Sequence, residues 1–147
     1  MNSFRGRCVI SGSIKTTCVV SRRNVNLTAS FKASVLAGKR RVYCADQDNP
    51  DLFGRRLDGR ILCLPAIVGA TTAGLVLHSL CKTPMAPAAL LFAGPIDPVT
   101  AAGVILAEEW MGKSIPTIDR LGEEFLDAVE HGMVIEVTPE GTIMCFD

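Results

Sequence analysis

The pattern of apolar and polar positions changes character along the chain. Short, partly β-branched runs come first: Cys8-Val9-Ile10, Cys18-Val19-Val20 and Val25 to Ala29, separated by Gly12 and by the turn cluster Ser21-Arg22-Arg23-Asn24. Each fits a strand, and together they predict an antiparallel β layer. From Phe31 to Asp58 the pattern dissolves into Lys39-Arg40-Arg41, Asp46-Gln47-Asp48-Asn49-Pro50 and Gly54-Arg55-Arg56. So many turn-formers and so few apolar anchors predict a long functional loop, a polar flap at about 31–58.

Beyond the flap, strands and helices alternate. Arg60 to Leu64 is an apolar strand stopped by Pro65, and the turn Gly69-Ala70-Thr71-Thr72 leads into a helix from Ala73 to Cys81 with Leu75, Leu77 and Leu80 inside. Ala88 to Phe92 repeats the strand signal. Asp97 followed by Pro98 predicts an N-cap and first-turn proline for a helix to about Trp110, its inner face made by Ala101, Val104 and Ile105. Ile115 to Ile118 reads as a short strand. Asp119 is then expected to cap a helix on which Leu121, Phe125, Leu126 and Val129 recur, with Gly132 as its stop. Met133 to Val137 and Thr142 to Phe146 flank Thr138-Pro139-Glu140-Gly141 and predict a closing hairpin. A β-rich start, alternating elements and a hairpin suggest a layered α/β domain with a mixed sheet.

Composition narrows the class. The 147 residues suit one domain, 1–147, and 48% apolar against 20% charged residues is too apolar for a disordered chain. Ile61 to Leu80 is the longest apolar stretch, but Pro65, Gly69, Thr71, Thr72 and Gly74 interrupt it, so it does not supply the ~20 residues of a membrane span. Met1 to Arg7 is not followed by the apolar region of a signal peptide, and a cytoplasmic protein is expected. Residues 1–62 hold twelve Lys and Arg against four acids, and residues 63–147 hold three against eleven. The asymmetry suits an anionic substrate or acidic partner, unless the fold interleaves the halves. Aromatic residues are too sparse in the basic half for a nucleic-acid surface.

Candidate chemistry follows the turns. A strand ending at Pro65 and a helix starting near Thr72 put the amides of Gly69, Ala70 and Thr71 at a helix N-terminus, which favours a carboxylate, phosphate or oxyanion. A plain capping turn needs the same small residues, so both readings stand. Arg40, Arg41, Arg55 and Arg56 are guanidinium candidates for an anion. Asp46, Asp48 and Asp51 lack the glycine and closing glutamate of a calcium loop. His78 and His131 read as structural, and Glu108-Glu109 and Glu123-Glu124 as solvated helix faces. Cys8, Cys18, Cys44, Cys63, Cys81 and Cys145 show no metal-ligand spacing, so buried thiols are expected and no metal site.

Several segments, in order, resemble the small subunit, or swivel domain, of aconitase X. They are Leu52-Phe53-Gly54-Arg55-Arg56-Leu57-Asp58-Gly59-Arg60-Ile61-Leu62-Cys63-Leu64-Pro65, the Gly69 turn, Ala86-Pro87-Ala88-Ala89-Leu90-Leu91-Phe92, Ile96-Asp97-Pro98, Ala101 to Ala107, and Ile115-Pro116-Thr117. The resemblance implies a three-layer β/β/α swivelling domain like the mobile domain of aconitase. It also implies a separate large subunit that carries an iron-sulfur cluster, without which this chain is inactive. Members of the family dehydrate cis-3-hydroxy-L-proline or mevalonate 5-phosphate, with a serine of the glycine-rich turn as proton acceptor. This chain departs from the usual Gly-Arg-Gly-Ser-Ser-Thr run: it has Ile67-Val68-Gly69-Ala70-Thr71-Thr72, with Ala70 in the serine's place and Val68 in the arginine's. The catalytic expectation therefore falls on Thr71, with Gly69, Ala70 and Thr72 binding substrate. The lost guanidinium favours hydroxyproline over the phosphate, and a non-catalytic acid-binding subunit is the alternative from another class.

Overall fold

The computed structural model describes residues 2–38, 40–81 and 83–146; the side chains of residues 70–72, 74, 78 and 111 are outside that description. In chain order the elements are β1 (Asn2–Arg5), β2 (Arg7–Ile10), β3 (Ile14–Val20), β4 (Val25–Asn26), α1 (Leu27–Leu36), β5 (Ile61–Leu64), β6 (Ile67–Val68), α2 (Ala70–Leu80), β7 (Ala89–Phe92), α3 (Pro98–Met111), β8 (Thr117–Asp119), α4 (Glu123–Ala128), β9 (Val134–Val137) and β10 (Thr142–Phe146).

The main sheet has the strand order β1-β10-β9-β3-β5-β7-β8-β2. β3, β5, β7 and β8 run parallel, while β1, β10, β9 and the first half of β3 pair antiparallel. Side chains of the parallel strands alternate between two cores. Val19, Leu62, Leu64, Leu90 and Phe92 join a cluster under the helices with Phe31, Leu77 and Val104. Cys18, Val20, Ile61, Cys63 and Leu91 face the antiparallel layer and pack with Ile135, Val137, Ile143 and Phe125. Burial on both faces explains why β5 and β7 read as unbroken apolar runs. The result is a mixed α/β architecture in β/β/α layers, as expected.

Asn2–Ile10 closes this architecture. Its first half pairs with β10 and its second half with β8, so one extended segment occupies both edges of the sheet. Gly6 is the crossing point: its amide donates to the Gly141 carbonyl at 3.3 Å, and a Cβ there would sit 2.3 Å from the Asp119 carbonyl oxygen. Only a residue without a side chain fits so close an approach.

Four local expectations are corrected. Val25 to Ala29 is a strand only at Val25–Asn26, because Asn26 accepts from the Ala29 amide at 3.0 Å and caps α1. The segment expected as a flap therefore begins inside a helix, and its irregular part is pinned by buried Val42, Cys44, Leu52 and Leu57. On α3 Asp97 caps as expected, accepting from the Thr100 amide at 2.8 Å and its hydroxyl at 2.6 Å. The buried face of that helix, however, is Val104 and Ala107, with Ile105 45% exposed. Finally, Asp119 caps nothing. It ends β8, fully buried, and the following helix is only the six residues after Gly122.

Candidate functional site

Because β3, β5, β7 and β8 are parallel, their carboxyl ends emerge on one edge of the molecule. Backbone hydrogen bonds knit these ends together: Ser21 to Cys63 at 2.9 Å, Ala93 to Leu64 at 2.9 Å, Gly94 to Pro65 at 3.1 Å and Gly122 to Ala93 at 2.9 Å. A cleft of about 500 Å3 opens there, lined by Arg22, Pro65, Ala66, Gly94, Glu123 and Asp127 among others. Clefts at the carboxyl ends of parallel strands are where open α/β sheets bind ligands.

The Gly69 turn leaves from the same edge. After Pro65, the Ala66 carbonyl accepts from the Val25 amide at 2.9 Å, and β6 pairs with β4 through Val25↔Ile67 and Asn26↔Val68. Gly69 then takes φ 66 and ψ 38, the left-handed conformation, and α2 starts with no side-chain cap. A Cβ at Gly69 would lie 3.4 Å from the Asn26 amide nitrogen, so the turn packs on the residue that caps α1. The helix begins at Ala70, two residues earlier than the sequence suggested, which keeps the amides of the expected site in its first turn. The side chains of Ala70, Thr71 and Thr72 lie outside the described residues.

The other candidates separate. Arg55 and Arg56 line a second cleft of about 420 Å3 with Arg60 and His131, whereas Arg40 and Arg41 are exposed away from it. Arg56 is committed to Asp58, at 3.0 Å. Burial pushes the Asp58 carboxyl up, but Arg56 and the Val42 amide outweigh this and hold it below the usual range. His131 accepts the Val20 amide on Nδ1 at 3.1 Å, and burial, with Arg55 nearby, lowers its pKa, which agrees with a structural role. The His78 side chain lies outside the described residues. Asp46 and Asp51 serve as backbone acceptors, for Asp48 at 3.0 Å and Arg22 at 2.8 Å. Cys18, Cys44, Cys63, Cys81 and Cys145 are buried and Cys8 is exposed. Among the described residues no group of three or more His, Cys, Asp or Glu is arranged to hold a metal ion.

Asp119 was missed as a member of this edge. Its carboxylate accepts from Arg7 Nε at 2.9 Å, from Arg7 Nη2 at 2.7 Å and from the Ile96 amide at 2.8 Å. It thereby fastens the strap Arg7–Ile10 and the loop after β7 to the end of β8. Burial pushes the carboxyl up, yet these bonds and the Arg7 charge leave it below the ordinary value of 3.8.

The fold is shared with known proteins. Residues 3–145 match the family model of the aconitase X swivel domain. The chain belongs to that family. The phosphomevalonate dehydratase small subunit of Methanothermobacter thermautotrophicus is 36% identical over 115 residues, 78% of this chain and 80% of that subunit. The cis-3-hydroxy-L-proline dehydratase of Pseudomonas aeruginosa is 45% identical over 80 residues, 54% of this swivel domain but only 13% of that enzyme. The crystal structure of Thermococcus kodakaraensis aconitase X superposes over the whole of both chains with a TM-score of 0.82 at 21% identity, which shows the shared fold. Among the described residues no helix is long and apolar enough to cross a membrane.

Proposed function

We propose that this aconitase X swivel domain is the small subunit of a two-subunit hydro-lyase that dehydrates a small hydroxy acid of the cis-3-hydroxy-L-proline kind. The observation that carries the reading is the Gly69 turn. It follows Pro65 and Ala66, which line the carboxyl-end cleft, and opens α2 within a domain whose relatives are named as dehydratases. In this reading Gly69, Ala70 and Thr72 hold the substrate's anionic group through backbone amides, and the Thr71 hydroxyl takes the proton removed with water. The loss of the turn arginine to Val68 supports a substrate without a phosphate. The alternative substrate, mevalonate 5-phosphate, is favoured by one observation: a relative named for it matches 78% of this chain, against 54% for the hydroxyproline enzyme.

Among the described residues no cysteine arrangement fits an iron-sulfur cluster. The cysteines are mostly core residues, and in this reading the large partner subunit carries the cluster. The chain alone is inactive in this reading, and the complex works in the cytoplasm, where buried thiols stay reduced. Reconstitution tests it: the chain mixed with its large subunit dehydrates cis-3-hydroxy-L-proline, and neither component does so alone. Failure to associate, or a mixture that dehydrates neither substrate, sinks the reading.

A further inference from the structure

The helical face carries an apolar groove that the cleft chemistry does not use. The parallel strands β4 and β6 lead directly into α1 and α2, so the two helices start side by side, and a groove of about 230 Å3 lies between them. Its walls are Val35 and Leu36 of α1 and Leu75 and Val76 of α2. Leu36 is 75% exposed and Leu75 69% exposed, although each belongs to a helix whose opposite face is buried. The volume falls below the roughly 300–1,000 Å3 of small-molecule sites, and the walls lack the convergent polar groups that orient a free ligand. The groove suits side chains inserted from a partner, and exposed apolar surface rimmed by polar residues is what protein contacts leave uncovered.

Charge selects among partners. Lys32 lines the groove, and Arg40 and Arg41 stand exposed just past the end of α1. None of the three is in an ion pair among the described residues, and the sequence holds no Asp or Glu from Val25 to Ala45 or from Gly59 to Ile96. A second copy of this chain would set these like charges against one another across a two-fold interface, whereas an acidic partner neutralises them. Position then names the partner. Thr28 lines the groove in the first turn of α1, whose cap Asn26 packs on Gly69, and Val68 puts further exposed apolar surface at the turn itself. In the reading above that turn works only with the large subunit, so the surface beside it is the one the large subunit must cover. We infer that the α1–α2 groove is the docking site for an acidic segment of the large subunit, anchored by apolar side chains between Leu36 and Leu75 and held at its rim by Lys32, Arg40 and Arg41.

The inference rests on the two-subunit reading, and its test keeps the two apart. The affinity of the full chain for its large subunit is measured by calorimetry, beside turnover of the same mixture. Leu36→Ser with Leu75→Ser is expected to weaken association about tenfold or more, as for loss of interface anchors. Trp110→Ser, equally exposed but on α3, is expected to leave it unchanged. The reversal Lys32→Glu, Arg40→Glu, Arg41→Glu is expected to weaken association too, and to abolish the decline in affinity that added salt causes in the unaltered pair. All these positions are exposed, so each variant is expected to keep the melting temperature of the unaltered chain. Unchanged affinity in both the leucine and the reversed variants, or a larger loss in Trp110→Ser, overturns the inference. So does a dimer of this chain alone that the leucine changes dissolve, or binding to phosphatidylserine vesicles that they abolish. A pair that associates and dehydrates while ignoring the groove variants removes the docking site and leaves the dehydratase reading. A pair that associates through the groove and dehydrates neither substrate does the reverse.

Discussion

Arg7 and Asp119 face each other across the β2–β8 pair, 112 residues apart in sequence, and the guanidinium of one holds both carboxylate oxygens of the other at 2.9 and 2.7 Å. Arg7 remains 52% exposed while Asp119 is sealed, so the pair draws its value from satisfying the buried partner. Asp119→Ala is expected to destabilise by about 2–3 kcal/mol at neutral pH, since it strands the Ile96 amide as well as Arg7. Because the folded carboxyl titrates below 3.8, its stabilisation is complete above that value and is lost as pH falls through the folded pKa. Urea denaturation of both proteins across this range should show the difference shrinking only in strong acid.

His131 gives a second, higher window. Its folded pKa is lowered from 6.5, so the folded state resists protonation and stability declines once the pH drops below 6.5. Protonation also removes the Nδ1 lone pair that accepts the Val20 amide. His131→Asn, whose side-chain oxygen can still accept, is expected to flatten stability against pH between neutral and mildly acidic conditions. An unchanged slope would place the titration elsewhere.

Gly6→Ala is expected to be among the most damaging single changes, since the added carbon would lie 2.3 Å from a backbone oxygen that cannot swing aside. A loss of roughly 3 kcal/mol or more, read as a fall in melting temperature, follows from overpacking at a fixed contact.

Gly69→Ala tests the turn. At φ 66 any side chain adds about 1–2 kcal/mol of backbone strain, and its carbon also presses on Asn26. If these amides hold the substrate, turnover of the reconstituted complex is expected to fall more than stability, because the strain shifts them.

Thr71→Val removes the hydroxyl at nearly constant shape. If Thr71 accepts the proton, turnover should drop about 100-fold or more. Ala70→Ser restores the family's side chain and should raise turnover if the neighbouring threonine is an imperfect substitute. Indifference to both changes removes the turn from the chemistry.

The parallel half of the fold was legible because β5 and β7 are apolar on both faces and are punctuated by Pro65 and by the cap Asp97. Helix α1 was not, since two of its four buried residues, Ser30 and Ser34, are polar and blur the stripe made with Leu27 and Phe31. Asp119 misled for a related reason: an aspartate just ahead of Leu121 and Phe125 has the local look of an N-cap, and only its pairing with distant Arg7 reveals a strand end. At the site, the backbone requirement of Gly69 was visible from its place between strand and helix. The cleft was invisible, because Arg22, Pro65, Gly94 and Glu123 meet only through the order of the parallel strands.

The segment Asn2–Ile10 sets the tempo of folding. Its partners on β8 and β10 are residues 117–119 and 142–145, so the stretch stays unpaired until those sequence-distant residues have been made. Contacts of such long sequence separation form late and slow the search for the native state. Until they form, β8 and β10 both present open edges to other chains. Self-association during synthesis is therefore the characteristic hazard of this topology.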